Sequence, residues 1–152
     1  MARLLALTAV LPAFNALRTP GSLQDLTESH PHGPTRQSLD NMQDLQYFGD
    51  MTIGVEKLKA ILDTGSFEIL TFSTHCRTCG RAGQYDQEGS RSWKKGKISK
   101  VHAYGSGSCT AMDGYDSVSI ADINIKKQAL WVANDCKIPL LSRAIFNAIA
   151  GL

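Results

Sequence analysis

Three short stretches of the chain hold side chains whose types and spacing could do chemistry. In LKAILDTGSFEIL, residues 58–70, the carboxylate of Asp63 stands between two apolar runs and is followed by Thr64, Gly65 and Ser66. An Asp at such a junction ordinarily opens a turn, because its oxygens accept backbone N–H groups two residues on. Held in a cleft, the same group is a general acid or base. In HCRTC, Cys76 and Cys79 have the spacing of a redox dithiol or of half a metal site, and in YGSGSC a tyrosine, Tyr104, precedes a glycine-rich tip ending at Cys109.

The second and third stretches lose their sharper readings. A redox dithiol needs one thiol of lowered pKa, usually supplied by the positive end of a following helix. Here the chain continues GRAGQYDQEGSRSW, which is too rich in Gly and Ser to make that helix. Zinc held by Cys76 and Cys79 with His75 or His102 lacks a second pair at ligand spacing. No metal and no cofactor is expected. YGSGSC lacks the Gly-Lys-Ser/Thr ending of a phosphate loop and reads as a β-hairpin tip.

The elements that must position these groups are strands. A chain of 152 residues is one domain at most, or part of one. Its 13 glycines and 20% charged residues lean towards β-structure with many turns. YFGDMTIGV and KLKAILD read as a hairpin, EILTFS follows the acid turn, and ISKVHAYGSGS resumes strand character. In YDSVSIADINIKKQALWVA the apolar Val118, Ile120, Ile123 and Ile125 suit another antiparallel pair. Only LLSRAIFNAIAGL at the carboxy end reads as helical or irregular. The fold class is all-β.

The formal net charge of +2 is too small to argue for a nucleic-acid partner. The basic run RSWKKGKISK reads as a solvated loop or strand edge. At the amino end, Arg3 precedes an apolar stretch from Leu4 to Phe14, then small residues near Ala16. Residues 1–17 therefore read as a signal peptide, too short for a stable membrane span, although Phe14 sits where a cleavage site prefers a small residue. Residues 18–45 are polar, carry Pro20, Pro31 and Pro34, and read as a linker or propeptide in which His30 and His32 are solvated. Four cysteines suit the secretory pathway and allow three pairings. We take Cys76 with Cys79 and Cys109 with Cys136, the longer loop restricting the unfolded chain by about 3–4 kcal/mol in the entropic account.

Taken in order, Tyr47–Gly54, Asp63–Ser66, Tyr104–Ser108, Asp116–Val118 and Phe146–Leu152 closely resemble the amino-terminal lobe of pepsin-like aspartic proteases (peptidase family A1). The resemblance runs over residues 46–152. It implies an antiparallel lobe with a hairpin flap, and Asp63 as one catalytic carboxylate. It further implies that Thr64 buttresses the loop over Gly65, that Ser66 bonds the acid, and that Tyr104, Gly105, Ser106 and Gly107 form a mobile flap over a peptide or protein substrate. The product would be secreted, or lysosomal or vacuolar.

Peptide hydrolysis by acids needs two carboxylates that share one proton. A second Asp-Thr/Ser-Gly does not occur in this sequence. The chain is accordingly expected to be a truncated lobe that needs a carboxy-terminal lobe, or a second copy of itself, to complete the site. A peptide-binding module without chemistry is the alternative. Three positions depart from the family: Leu70 replaces a Trp that contacts the flap tyrosine, Glu68 stands in the run after Ser66, and Asn147 replaces an Asp.

Overall fold

A computed structural model describes residues 35–152. The expected signal peptide over residues 1–17, most of the polar segment, and His30 and His32 lie outside the described residues. Eight strands follow one another: β1 (Asp40–Met42), β2 (Gln46–Ile53), β3 (Glu56–Asp63), β4 (Ile69–Phe72), β5 (Lys94–Tyr104), β6 (Gly107–Ile120), β7 (Ile123–Lys137) and β8 (Ala148–Gly151). Two short 3-10 turns, Gly80–Ala82 and Pro139–Arg143, are the helical content among the described residues. The all-β reading is therefore correct.

The strands form one mixed sheet in the order β1-β2-β3-β8-β4-β7-β6-β5. It folds back on itself, because β2 also pairs with the far end of β6 through Met51 and Ile120. The two expected hairpins are present. β2 meets β3 across Gly54, which has φ +61° and so takes the left-handed region that glycine occupies without cost. β6 and β7 run antiparallel over most of their length, Cys109 facing Cys136 and Gly114 facing Leu130. Two register shifts bend this long ribbon, so that its halves serve different faces of the sheet.

Two expectations need correcting. Of the run read as helical or irregular, the first residues fall in the 3-10 turn Pro139–Arg143, but Ala148–Gly151 is a strand at the centre of the sheet, parallel to β3 and antiparallel to β4. A strand covered on both faces loses the alternation that would reveal it, and here Ala148, Ile149 and Ala150 are all buried. Asn147 sets its register: its N–H donates to the Lys59 carbonyl at 2.7 Å, and its own carbonyl accepts the Thr71 hydroxyl at 3.1 Å. Within the polar segment, Asp40–Met42 adds an exposed edge strand to β2.

The core lies in two clusters on the two sides of this central region. Phe48, Phe72 and Phe146 pack with both disulfides in one, and Met51, Ile53, Tyr85, Val118 and Val132 fill the other. The second cluster encloses a carboxylate: Asp116 is fully buried and accepts hydrogen bonds from the Tyr85 hydroxyl at 2.6 Å, the Ser117 N–H at 2.7 Å and the Ser92 hydroxyl. Burial and the neighbouring Asp116 push the Tyr85 phenol far above its ordinary range, so Tyr85 remains a donor.

Candidate active site

β3 delivers Asp63 as its last residue, and the chain turns at once through Thr64–Glu68 into β4. The turn is drawn tight by the acid itself. The Gly65 N–H donates to Asp63 Oδ1 at 2.9 Å, and the Ser66 hydroxyl donates to Oδ2 at 2.8 Å. Each carboxylate oxygen thus takes one local donor and keeps lone-pair capacity for a further one. From behind, β8 pins the backbone on both sides of the loop: the Leu152 N–H donates to the Asp63 carbonyl at 3.0 Å and the Gly151 N–H to the Glu68 carbonyl at 3.1 Å. Gly151 is obligatory there, since a Cβ at that position would lie 2.6 Å from the backbone of Ser66, Phe67 and Glu68.

The hairpin of β5 and β6 carries Tyr104 and Gly107 as its last facing pair, with Gly105 and Ser106 at the tip. Asp63, Tyr104 and Ser106 line one cleft of about 150 Å³, whose remaining wall is mainly apolar, with Ile61, Phe72, Phe146 and Ile149 among its residues. Asp63 is the one acidic residue lining it among the described residues. Burial, followed by the negative charges of Glu68 and Asp63, pushes the Tyr104 phenol up to about 12. Tyr104 therefore stays a neutral O–H donor at any pH where Asp63 could work.

The two glycines of the tip differ. Gly107 has φ +143° and presses against the Lys137 carbonyl, so it is demanded by the backbone. Gly105 meets nothing within 4 Å. Thr64 is exposed, with no side-chain hydrogen bond among the described residues, so within this chain the loop is braced by Ser66, Gly65 and β8 rather than by Thr64.

Both disulfides stand as paired in the sequence reading, Cys76 with Cys79 and Cys109 with Cys136. The second ties the hairpin to β7 two residues from its tip pair.

Sequence reasoning missed how the hairpin is held. Trp131, facing Leu70 across the parallel β4–β7 pair, packs against the same core cluster as Tyr104. The buried His102 ring stacks edge-on against Trp131 with centroids 4.7 Å apart. Glu68 joins the acid loop to β5, with Oε2 3.1 Å from His102 Nδ1 and Oε1 3.2 Å from Lys100 Nζ. Burial lowers the His102 pKa below its ordinary value, with Glu68 opposing and Lys100 reinforcing. Leu70, which stands where a Trp was expected, faces Trp131 across the β4–β7 pair, a neighbour that only strand pairing reveals.

The sequence profile of eukaryotic aspartyl proteases matches residues 46–152. Among curated proteins, the chain is 25% identical to pepsin A of Gallus gallus over 152 aligned positions, covering 90% of this chain and 41% of that protein. It is 31% identical to vacuolar protease A of Neurospora crassa, covering 91% of this chain and 37% of the relative. With procardosin-A of Cynara cardunculus it shares 32% identity over 76% of this chain and 24% of the relative. The chain thus spans less than half the length of each of these relatives. An acid loop braced from behind by a buried strand and roofed by a tyrosine-tipped hairpin agrees with that match, and the chain belongs to the eukaryotic aspartyl protease family.

Proposed function

We propose that this chain supplies one half of the catalytic site of an aspartic endopeptidase, with Asp63 as one of two carboxylates that share a proton. The observation that carries the reading is the cleft in which Asp63, oriented by Gly65 and Ser66, faces Tyr104 and Ser106. In the reaction one carboxylate takes a proton from water, which attacks the scissile carbonyl carbon. The other carboxyl group gives its proton to the carbonyl oxygen. Tyr104, held neutral, offers an O–H donor towards the groove, and closure of the hairpin excludes bulk water. Gly65 and Ser66 hold the carboxylate plane, so no reorganisation is needed as charge develops.

The second carboxylate comes from a further lobe or from a second Asp63 in a homodimer. Substrates are peptides or unfolded proteins lying across the cleft. Two disulfides and relatives such as a vacuolar protease support a place in the secretory pathway, secreted or vacuolar/lysosomal. No helix among the described residues is long and apolar enough to cross a membrane.

The test is pepstatin-sensitive cleavage of a denatured protein at acidic pH, with and without Asp63→Asn. Loss of cleavage in the variant is expected; cleavage that persists rejects Asp63. Sedimentation at high concentration separates the two sources of the partner acid, a dimer favouring a second Asp63. That Asp63 is the one acid lining the cleft among the described residues favours one other reading, a peptide-binding module without chemistry. Peptide affinity unchanged by Asp63→Asn, with no cleavage by either form, would establish that module instead.

A further inference from the structure

The turn that follows the acid, Thr64–Glu68, has few side chains to hold it. The Ser66 hydroxyl is spent on Asp63, Thr64 makes no side-chain hydrogen bond among the described residues, and Phe67 is 89% exposed. Glu68 is the one residue of the turn, among the described residues, whose side chain bonds to another element. Its Oε2 lies 3.1 Å from His102 Nδ1 and its Oε1 3.2 Å from Lys100 Nζ, both on β5. The two contacts differ in weight. Lys100 and Glu68 are both substantially exposed, so solvent screens their ion pair. His102 is buried.

His102 makes a rigid anchor. Its ring meets Trp131 edge-on, and its backbone faces Cys109 in a ladder that continues from β6 to β7. Its Nε2 is buried without a partner, so Glu68 is the ring's one hydrogen-bond partner among the described residues. The proton of the neutral ring therefore sits on Nδ1, where it has an acceptor, rather than on Nε2, where it has none. A protonated ring keeps that same Nδ1 hydrogen. Glu68 and Lys100 are the charged groups acting on the ring, and the bond to Glu68 is available in either charge state of the imidazole.

We propose that Glu68 is a positioning residue for Asp63, setting the acid loop against the tyrosine-bearing strand through the hydrogen bond it accepts from His102. The β5–β6–β7 ladder already holds His102; the loop is the part that needs fixing. The Gly151 N–H secures the Glu68 carbonyl, and the side chain adds a second point that stops the turn from pivoting about that bond. Tyr104 stands two residues beyond His102, on the same face of β5. One short path thus links the acid to the hydroxyl donor across the cleft. The inference rests on the reading of Asp63 as a working acid, but the contact can be tested without catalysis.

The first test is amide exchange and His102 titration by NMR in the full chain. Glu68→Ala should speed exchange of the Gly65, Gly151 and Leu152 amides, which bond Asp63 and Glu68, at least about fivefold relative to the β6–β7 ladder. Glu68→Gln, whose amide oxygen still accepts from Nδ1, should keep parental rates. In Glu68→Gln the imidazole should titrate at lower pH, because burial still lowers it and the Glu68 charge that opposes burial is gone. The second test is cleavage by the assembled enzyme. For Glu68→Ala, kcat should fall about tenfold with KM within about twofold, and Glu68→Gln should recover to within about threefold of the parent. Unchanged exchange in Glu68→Ala, parental titration in Glu68→Gln, or an effect confined to KM would each overturn the proposal. So would Glu68→Gln failing as badly as Glu68→Ala, which would assign the effect to charge. His102→Phe breaks the same contact from the other side and serves if Glu68→Ala does not fold. In the double variant the two losses should not add, and additive losses refute the tie. If exchange responds as expected while the parent cleaves nothing, the tie stands and the endopeptidase reading fails.

Discussion

Asp63 and Asp116 are both aspartates on strands, and both accept a serine hydroxyl, yet the fold treats them in opposite ways. Asp116 is fully buried, and the hydroxyls of the distant Tyr85 and Ser92, with the N–H of its own neighbour Ser117, donate to its oxygens. Asp63 is half-buried, takes its donors from its own turn, and keeps free capacity towards a cleft. A buried carboxylate that has collected all its partners holds distant segments together and has nothing left to offer a substrate. One that is oriented by its neighbours but incompletely satisfied is available for chemistry. Distinguishing a structural acid from a working one is thus a matter of where its donors come from and whether its remaining lone pairs face a cleft or a sealed core.

Exchanging each acid for its amide breaks the comparison most directly. In the assembled enzyme Asp63→Asn should lower peptide hydrolysis on the order of 10⁴-fold while leaving the thermal midpoint nearly unchanged. Asp116→Asn should do the reverse, costing about 2–3 kcal/mol of stability because an amide nitrogen then faces a buried donor. If Asp63→Asn destabilises as much as Asp116→Asn, the distinction fails. Next in size is Gly151→Ala, whose new methyl would collide with the backbone of the acid loop. A loss of about 3 kcal/mol, read by denaturant unfolding, is expected.

The hairpin offers a smaller contrast. Gly107→Ala should cost about 1–3 kcal/mol for its positive φ. Gly105→Ala, with open space around it, should stay within about 0.5 kcal/mol. The smallest effect concerns pH. His102 has its pKa lowered from 6.5 by burial, so below that value the unfolded chain binds a proton that the folded chain refuses. Stability from this group is therefore lost as pH falls through 6.5 and levels off once pH is below the folded pKa. Urea unfolding of His102→Gln across that range should show a shallower acid slope than the parent.

Much of the site could be read in the residues themselves. Asp63-Thr64-Gly65-Ser66 bends as its composition demands, since an Asp two residues before a glycine N–H makes its own turn. The flanking hairpins were visible because one covered face leaves an alternating pattern. Where the pattern vanished, so did legibility: the apolar Ala148–Ala150 run carries no period because both its faces are buried, and its identity as the central strand depends on pairing with β3 and β4. Trp131 and His102 were equally hidden, lying 61 and 32 residues from Leu70 and sharing a neighbourhood only through strand pairing.

By itself, then, the amino-acid sequence determined the local chemistry: which acid bends its own loop, which hairpin ends in a tyrosine and glycines, and which short Cys-x-x-Cys loop closes on itself. These follow from covalent geometry and from hydrogen bonds spanning a few residues. Tertiary structure alone decided which carboxylate is sealed and which faces a cleft, and that one disulfide lies against the other. Burial and contact between residues far apart in the chain are set by how the sheet folds over, and no local pattern records them.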